Sequence, residues 1–281
     1  MRPSQAREFF VRTRFVLSFA VVALMSTPVQ AEPVLLHAAG SLRDALDDTA
    51  RAFTAASGIE VKAKYGASGL LKDEIVGGAD AQVFASANME HPRALAAAGK
   101  SGPVVLFARN QLCALARPGL AVTSATLLDK MLDPGVTLGT STPRADPSGD
   151  YAWEVFRRAD ALKTGAFATL EAKAQKLTGG PQSPQAPAGR SLYGTLVADG
   201  KADIFLTYCT GALAAQRDHP DQQMIKLPDA LAVGADYGLT VLVTAPPPAY
   251  RLAMFILADG QAILAKYGFT APSLPRNGAA K

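Results

Sequence analysis

The chain reads as an α/β protein with parallel sheets, and three observations predict it. Short apolar runs alternate with helix-patterned segments along the whole length. The first such pair, Val34 to Phe53, passes from strand to helix through a turn of alanine, glycine and serine. No repeat of fixed period appears, which excludes a solenoid.

Val34–Ala39 is a buried-strand pattern. From Leu42 the apolar positions Leu42, Ala45, Leu46 and Phe53 recur at helical steps, with Thr49 on the same face, and Gly58 stands where a left-handed C-terminal residue belongs. Ile59–Tyr65 alternates apolar and polar residues, a second strand. Gly66-Ala67-Ser68-Gly69 repeats the small-residue turn, and Leu70, Leu71, Ile75 and Val76 mark a helix ended by Gly77-Gly78. Ala81–Ala85 is a third strand, Ala94–Ala98 a short helix, and Val104–Ala116 a long extended stretch interrupted by Arg109-Asn110-Gln111.

The second block continues the same rhythm. Thr137–Thr140 is a strand, and a loop from Ser141 to Gly149 leads into a helix over Tyr151–Leu162. A further helix is expected over Thr164–Leu177. Gly179–Gly189, rich in Pro, Gly and Gln, is the expected flexible segment. Ser191–Ala198 reads as helix, Ile204–Tyr208 as strand, and another helix starts over Gly211–Gln216. Tyr237–Val243 is a strand, and Tyr250–Tyr267 holds a long terminal helix.

The beginning of the chain belongs to targeting. Arg2, Arg7, Arg12 and Arg14 precede an apolar run over Phe15–Met25 that is too short to span a bilayer, followed by a small-x-small pattern that places cleavage after Ala31. The sequence therefore predicts an exported, periplasmic protein that is not membrane-spanning after cleavage. The full chain has 28 Lys+Arg against 24 Asp+Glu; without residues 1–31 the balance is 24 against 23. No basic patch argues for nucleic acid. About 250 residues remain, with 49% apolar content overall, enough for one large domain or two lobes. Export permits a disulfide between Cys113 and Cys209. Both, however, sit in segments read as strands of separate cores, which favours two buried thiols, and pairing requires a close approach.

Catalytic and cofactor signatures are missing. His37, His91 and His219 have no partners at metal-ligand spacing, no CxxC or HExxH occurs, and no GxSxG, GxGxxG or GxxxxGK[ST] pattern is present. No cofactor and no catalytic residue is predicted. What recurs instead is a strand, a Gly/Ala/Ser turn and a helix: at Ala39-Gly40-Ser41, at Gly66-Ala67-Ser68-Gly69 and, more loosely, at Asp146-Pro147-Ser148-Gly149. A helix start offers unpaired N–H groups and the positive dipole end, so an oxyanion can bind there without lysine or arginine. Serine is also a favoured N-cap, and each serine alone reads as a cap. Two such turns at the carboxyl ends of two strands shift the reading toward ligand binding.

Ala38-Ala39-Gly40-Ser41-Leu42, Tyr65-Gly66-Ala67-Ser68-Gly69-Leu70 and Gly78-Ala79-Asp80-Ala81-Gln82-Val83-Phe84-Ala85-Ser86-Ala87 together resemble the periplasmic molybdate-binding proteins of ABC importers. The likeness continues through Pro147–Ala152 and Gly200–Tyr208 and ends near Tyr267-Gly268-Phe269. It implies a two-lobed type II periplasmic binding fold, each lobe a mostly parallel sheet flanked by helices, with molybdate or tungstate between the lobes. Residues 32–110 and 237–281 would form lobe I and 111–236 lobe II, with crossings near Phe107–Cys113 and Ala235–Gly238. Matched residue by residue, the resemblance implies serine donors at Ser41 and Ser68, a backbone amide donor at Ser148 and a tyrosine hydroxyl at Tyr208. It implies a monomer that serves an ABC permease and catalyses nothing.

One position departs from the pattern. The remaining second-lobe amide falls near Arg190, which either faces solvent or adds a charge suited to a small organic anion such as a carboxylate. Asp146 and Asp150 would repel a dianion if they turned inward. An enzyme on the same scaffold is the more distant alternative. His37 is read as a buried strand residue.

Overall fold

The computed structural model describes residues 32–184 and 189–272. The signal segment expected over residues 1–31, and Gln185–Ala188 within the expected flexible stretch, lie outside the described residues.

Among the described residues nine strands form one sheet. The first part is built from β1 (Val34–Ala39), β2 (Val61–Gly66) and β3 (Val83–Ser86). β1 pairs in parallel with both others, in the order β2-β1-β3. The second part holds β5 (Leu138–Ser141), β6 (Ala174–Thr178) and β7 (Ile204–Tyr208), with β5 parallel to both neighbours. Between them run β4 (Val105–Ala116) and β9 (Gly234–Val241), which are antiparallel to each other. β9 pairs antiparallel with β3, and the far end of β4 pairs antiparallel with β7 and with β8 (Gln223–Lys226). The sheet as a whole is therefore mixed: parallel strands occupy its two ends, and antiparallel ones join them.

The helices follow their apolar faces. α1 (Arg43–Ser57) buries Ala45, Leu46, Thr49 and Phe53, the positions expected from the sequence, and stops at Gly58. That residue adopts φ 71°, where a β-carbon is disfavoured. α2 (Ser68–Val76) and α3 (Glu90–Ala97) follow β2 and β3, and α4 (Leu127–Leu132) precedes β5. α5 (Pro147–Leu162) starts with proline in its first turn and is capped by Asp146, whose carboxylate accepts from the Ser148 N–H. α7 (Leu192–Ala198) and α8 (Cys209–Asp218) flank β7.

Three sequence expectations are corrected. The helix expected over Thr164–Leu177 ends early: α6 covers Ala166–Lys173, and Ala174–Thr178 forms the edge strand β6. Pairing with β5 overrides the helix propensity of that segment. The long terminal helix is two, α9 (Pro247–Leu257) and α10 (Gly260–Lys266), separated at Ala258, whose backbone (φ −111°, ψ −96°) leaves the helical region. Cys113 and Cys209 are not separate thiols but a disulfide. Their segments are neighbours: β4 and β7 pair with Leu112 opposite Tyr208, which brings the two α-carbons to 4.8 Å.

The disulfide closes a loop across a separation of 96 residues, and cross-links of that span restrict the unfolded chain strongly. Replacing both cysteines by serine is expected to lower stability by about 2–4 kcal/mol. Urea unfolding of the oxidised wild type and the double variant measures it as a drop in midpoint.

Candidate functional site

Four strand-to-helix switches surround one cavity. β1 ends at Ala39, a single 3-10 turn over Gly40–Leu42 follows, and α1 begins. β2 ends at Gly66, Ala67 precedes α2, and Ser68 is that helix's first residue. On the other side of the sheet, β5 leads through Thr142–Asp146 into α5, and β7 ends at Tyr208 directly before α8. β1 and β2 are parallel neighbours, as are β5 and β7, so both clusters lie at carboxyl ends of strands. The cavity measures about 640 Å³, a volume that holds small organic ligands as well as ions. Ala39, Gly40, Ser41, Gly66 and Ala67 line one wall, and Asp146, Thr178, Gly179, Arg190 and Tyr208 the other.

Ser41, Arg190 and Tyr208 are thus brought together on the cavity wall. Ser68 and Ser148 are fully buried beside the lining residues Ala67 and Asp146 and do not form the wall themselves. Neither Ser41 nor Ser68 caps its helix. The Ser68 hydroxyl oxygen accepts from the Ala87 N–H at 3.1 Å, so its own proton is left to donate. Ser41 Oγ lies 3.0 Å from the Tyr237 hydroxyl.

On the opposite side Ser148 Oγ, Thr178 Oγ1 and Tyr208 OH are buried hydroxyls with no hydrogen-bond partner among the described residues. A buried polar group left unpaired is costly, and three near one cavity mark donors waiting for an acceptor. Burial pushes the Tyr208 pKa well above the usual phenol value, with Tyr237 and Asp146 adding to it, so the hydroxyl keeps its proton. The Ser148 N–H, the amide expected to face a ligand, instead donates to Asp146 Oδ1 at 3.1 Å. Ser148 therefore has its hydroxyl, not its amide, to offer.

Asp146 does turn inward. Its carboxylate is buried and also accepts from Ser141 Oγ at 2.5 Å. Burial raises its pKa, against the lowering effect of those two hydrogen bonds, and nearby Asp150 raises it further. Asp150 is directed elsewhere, accepting from the Arg144 N–H at 2.8 Å. Arg190 is half exposed at the rim, 3.7 Å from Asp218 and 3.3 Å from His219 Nε2. His37 is a buried strand residue whose pKa is lowered, first by burial and then by Lys64.

Sequence reading missed several residues that line the cavity or touch its lining. Thr178 stands just past the helix expected over Thr164–Leu177 and ends the strand β6 that replaces its last part. Tyr237 and Asn110 are distant from Ser41 in sequence, and no local motif signals them. Arg43 and Arg217 reach the cavity over aromatic rings, 4.8 Å from the centre of Tyr65 and 5.3 Å from that of Tyr267. The two sides also touch directly: the Gly69 N–H donates to the Ala145 carbonyl at 2.9 Å, and the Tyr151 hydroxyl to the Ala87 carbonyl at 3.3 Å.

The sequence profile of the bacterial extracellular solute-binding proteins matches residues 34–270. The chain belongs to that family. An uncharacterized protein of Pasteurella multocida is 33% identical over 243 residues, covering 85% of this chain and 98% of its own. Among solved structures, the sulfate-binding protein of Mycobacterium tuberculosis superposes with a TM-score of 0.71 at 19% identity, covering 86% of this chain and 87% of that one. The periplasmic molybdate-binding protein of Azotobacter vinelandii gives 0.68 at 19% identity, covering 85% and 100%. These likenesses establish the two-lobed periplasmic binding fold. Among the described residues no helix is long and apolar enough to cross a membrane.

Asp146 sets a pH dependence. Its folded pKa is raised, so its ionised form costs stability, and the associated stability is present at acid pH and lost as pH rises through the raised value. A dianion in the cavity raises that pKa further, so binding takes up protons. Affinity for an anion in the cavity is therefore expected to increase as pH falls through the raised Asp146 value. Asp146→Asn should bind more tightly at pH 7.5 and lose most of the pH dependence, both measurable by calorimetry.

Proposed function

We propose that this solute-binding protein captures a tetrahedral oxyanion, molybdate or tungstate, and delivers it to an ABC permease. The observation that supports this reading best is the set of neutral hydroxyl donors around one cavity: Ser41, Ser68, Ser148, Thr178 and Tyr208. Three of these have no partner among the described residues, and Ser68 has a proton to spare. Donors spread around a centre suit a tetrahedral ion, whose oxygens accept in every direction. No reaction is needed for this task; the anion is bound and released.

In this reading the protein is exported, cut after Ala31 and acts in the periplasm as a monomer, with no nucleic acid partner. Residues 32–110 and 237–281 form one lobe and 111–236 the other. Closure follows from the ligand bridging donors on both, because it then binds the closed form more tightly.

A second reading, capture of a small organic anion, is favoured by the cavity's size and by the arginines on its wall. Arg43 and Arg217 lie over aromatic rings, and Arg190 stands at the rim. A guanidinium suits a planar carboxylate better than a tetrahedral ion.

Calorimetric titration with molybdate, tungstate, sulfate and a panel of carboxylates separates the two. Tight binding of molybdate or tungstate is expected; binding of carboxylates alone would replace the first reading by the second. Ser68→Ala is expected to weaken oxyanion binding by roughly 1–3 kcal/mol, and an unchanged affinity would remove Ser68 from the site.

A further inference from the structure

Asn110 and Tyr237 sit on β4 and β9, close to the cavity yet outside the donor set described above. The Asn110 amide is oriented by the backbone: its Oδ1 accepts from the Gln111 N–H at 2.9 Å. Its Nδ2 therefore faces the other way, donating to Thr210 Oγ1 at 2.8 Å and to the Tyr237 hydroxyl at 3.4 Å. An amide NH₂ can only donate, so the Tyr237 oxygen is the acceptor of that contact. Tyr237 is fully buried, and burial holds its phenol protonated. Its single O–H then has one acceptor in reach, Ser41 Oγ at 3.0 Å. With its oxygen already receiving a proton, Ser41 has its own O–H to direct into the cavity that it lines.

We propose that Asn110 and Tyr237 are positioning residues that fix the hydrogen-bond polarity of Ser41, holding its O–H toward the anion and so favouring fully deprotonated oxyanions over those that carry a proton. The chain of donors runs one way, from Asn110 through Tyr237 and Ser41 to the ligand. An anion such as hydrogen phosphate brings a proton that needs an acceptor, and at this wall it meets another donor. The inference rests on the oxyanion reading and identifies what sets selectivity within it.

The test uses the mature chain with molybdate and inorganic phosphate as probes, titrated at pH 7.5. Tyr237→Phe removes the donor with almost no change in volume. It is expected to weaken molybdate binding about 5-fold, to leave phosphate binding unchanged or stronger, and so to shrink the preference between them by at least that factor. A structural defect would weaken both ligands alike. Asn110→Asp supplies a second approach: a carboxylate accepts the Tyr237 proton, turns the phenol away from Ser41 and should shrink the same preference. If Ser41→Ala leaves molybdate affinity intact, the oxyanion reading of this wall is lost. If Ser41→Ala weakens it while folded Tyr237→Phe and Asn110→Asp both keep the wild-type preference, the polarity chain alone is overturned.

Discussion

The antiparallel pairing of β4 with β9 is the constraint on which the rest of the molecule depends. β4 is twelve residues long and changes partner along its length: Val105–Gln111 faces β9, and Leu112–Ala116 faces β7 and β8. β9 in turn borders β3, so the two parallel clusters are connected through this one ladder. Without it, the carboxyl ends of β1 and β2 would have no fixed relation to those of β5 and β7. The same pair supplies side chains. Phe107 and Tyr237 meet edge to face with ring centres 6.4 Å apart, and Tyr237 packs on Tyr208 at 5.6 Å. Through Tyr237, which touches the lining residues Ser41 and Tyr208, the ladder that joins the sheet also braces the cavity.

Within that frame the polar chemistry is uneven, and the unevenness is informative. Most buried polar groups in a folded protein find partners. Here Asp146 accepts once from the Ser148 N–H at its helix start and once from Ser141 of β5, and Ser68 once from Ala87, whereas Ser148, Thr178 and Tyr208 keep hydroxyls with no partner among the described residues. Two acceptor sites of Asp146 are used locally, while the donors are spared. The wall therefore offers protons to a ligand, and the buried acid beside them makes the site's charge depend on pH. A cage made only of donors, as the sequence pattern implied, is thus too simple a description of this site.

Much of the fold could be read from periodicity. The burial of α1, the stop at Gly58 and the limits of β1 and β7 follow from side-chain spacing and one glycine, because those elements are decided locally. Ala174–Thr178 could not be read this way, since only its neighbour β5 makes it a strand. The disulfide was illegible for a related reason: Cys113 and Cys209 become neighbours through the β4–β7 register, which no local pattern encodes. At the candidate site, Ser41, Ser68 and Ser148 could be singled out because small-residue turns mark helix starts, whereas Tyr208 was singled out through the family resemblance. Thr178, Asn110 and Tyr237 belong to strand pairings and enter the site only through tertiary structure.

The contact between Gly69 and the loop before α5 shows why a ligand still has work to do. At Gly69 the backbones approach so closely that a β-carbon would stand 2.5 Å from the Arg144 carbonyl oxygen and 2.7 Å from that of Ala145. Only glycine permits this approach, and through it the Gly69 N–H is satisfied by the opposite side. The hydrogen bond from Tyr151 to Ala87 adds a second tie. Both ties use backbone carbonyls as acceptors and leave the hydroxyls untouched. The protein can thus bring its two sides together at one edge while the interior donors stay unpaired. Contact at the edge alone buries those hydroxyls without compensating them, so it is a poor resting state energetically. In the function proposed above, an acceptor-rich solute changes the balance by supplying what the protein's own contacts do not, and its binding energy is then largest in the conformation that gathers all the donors.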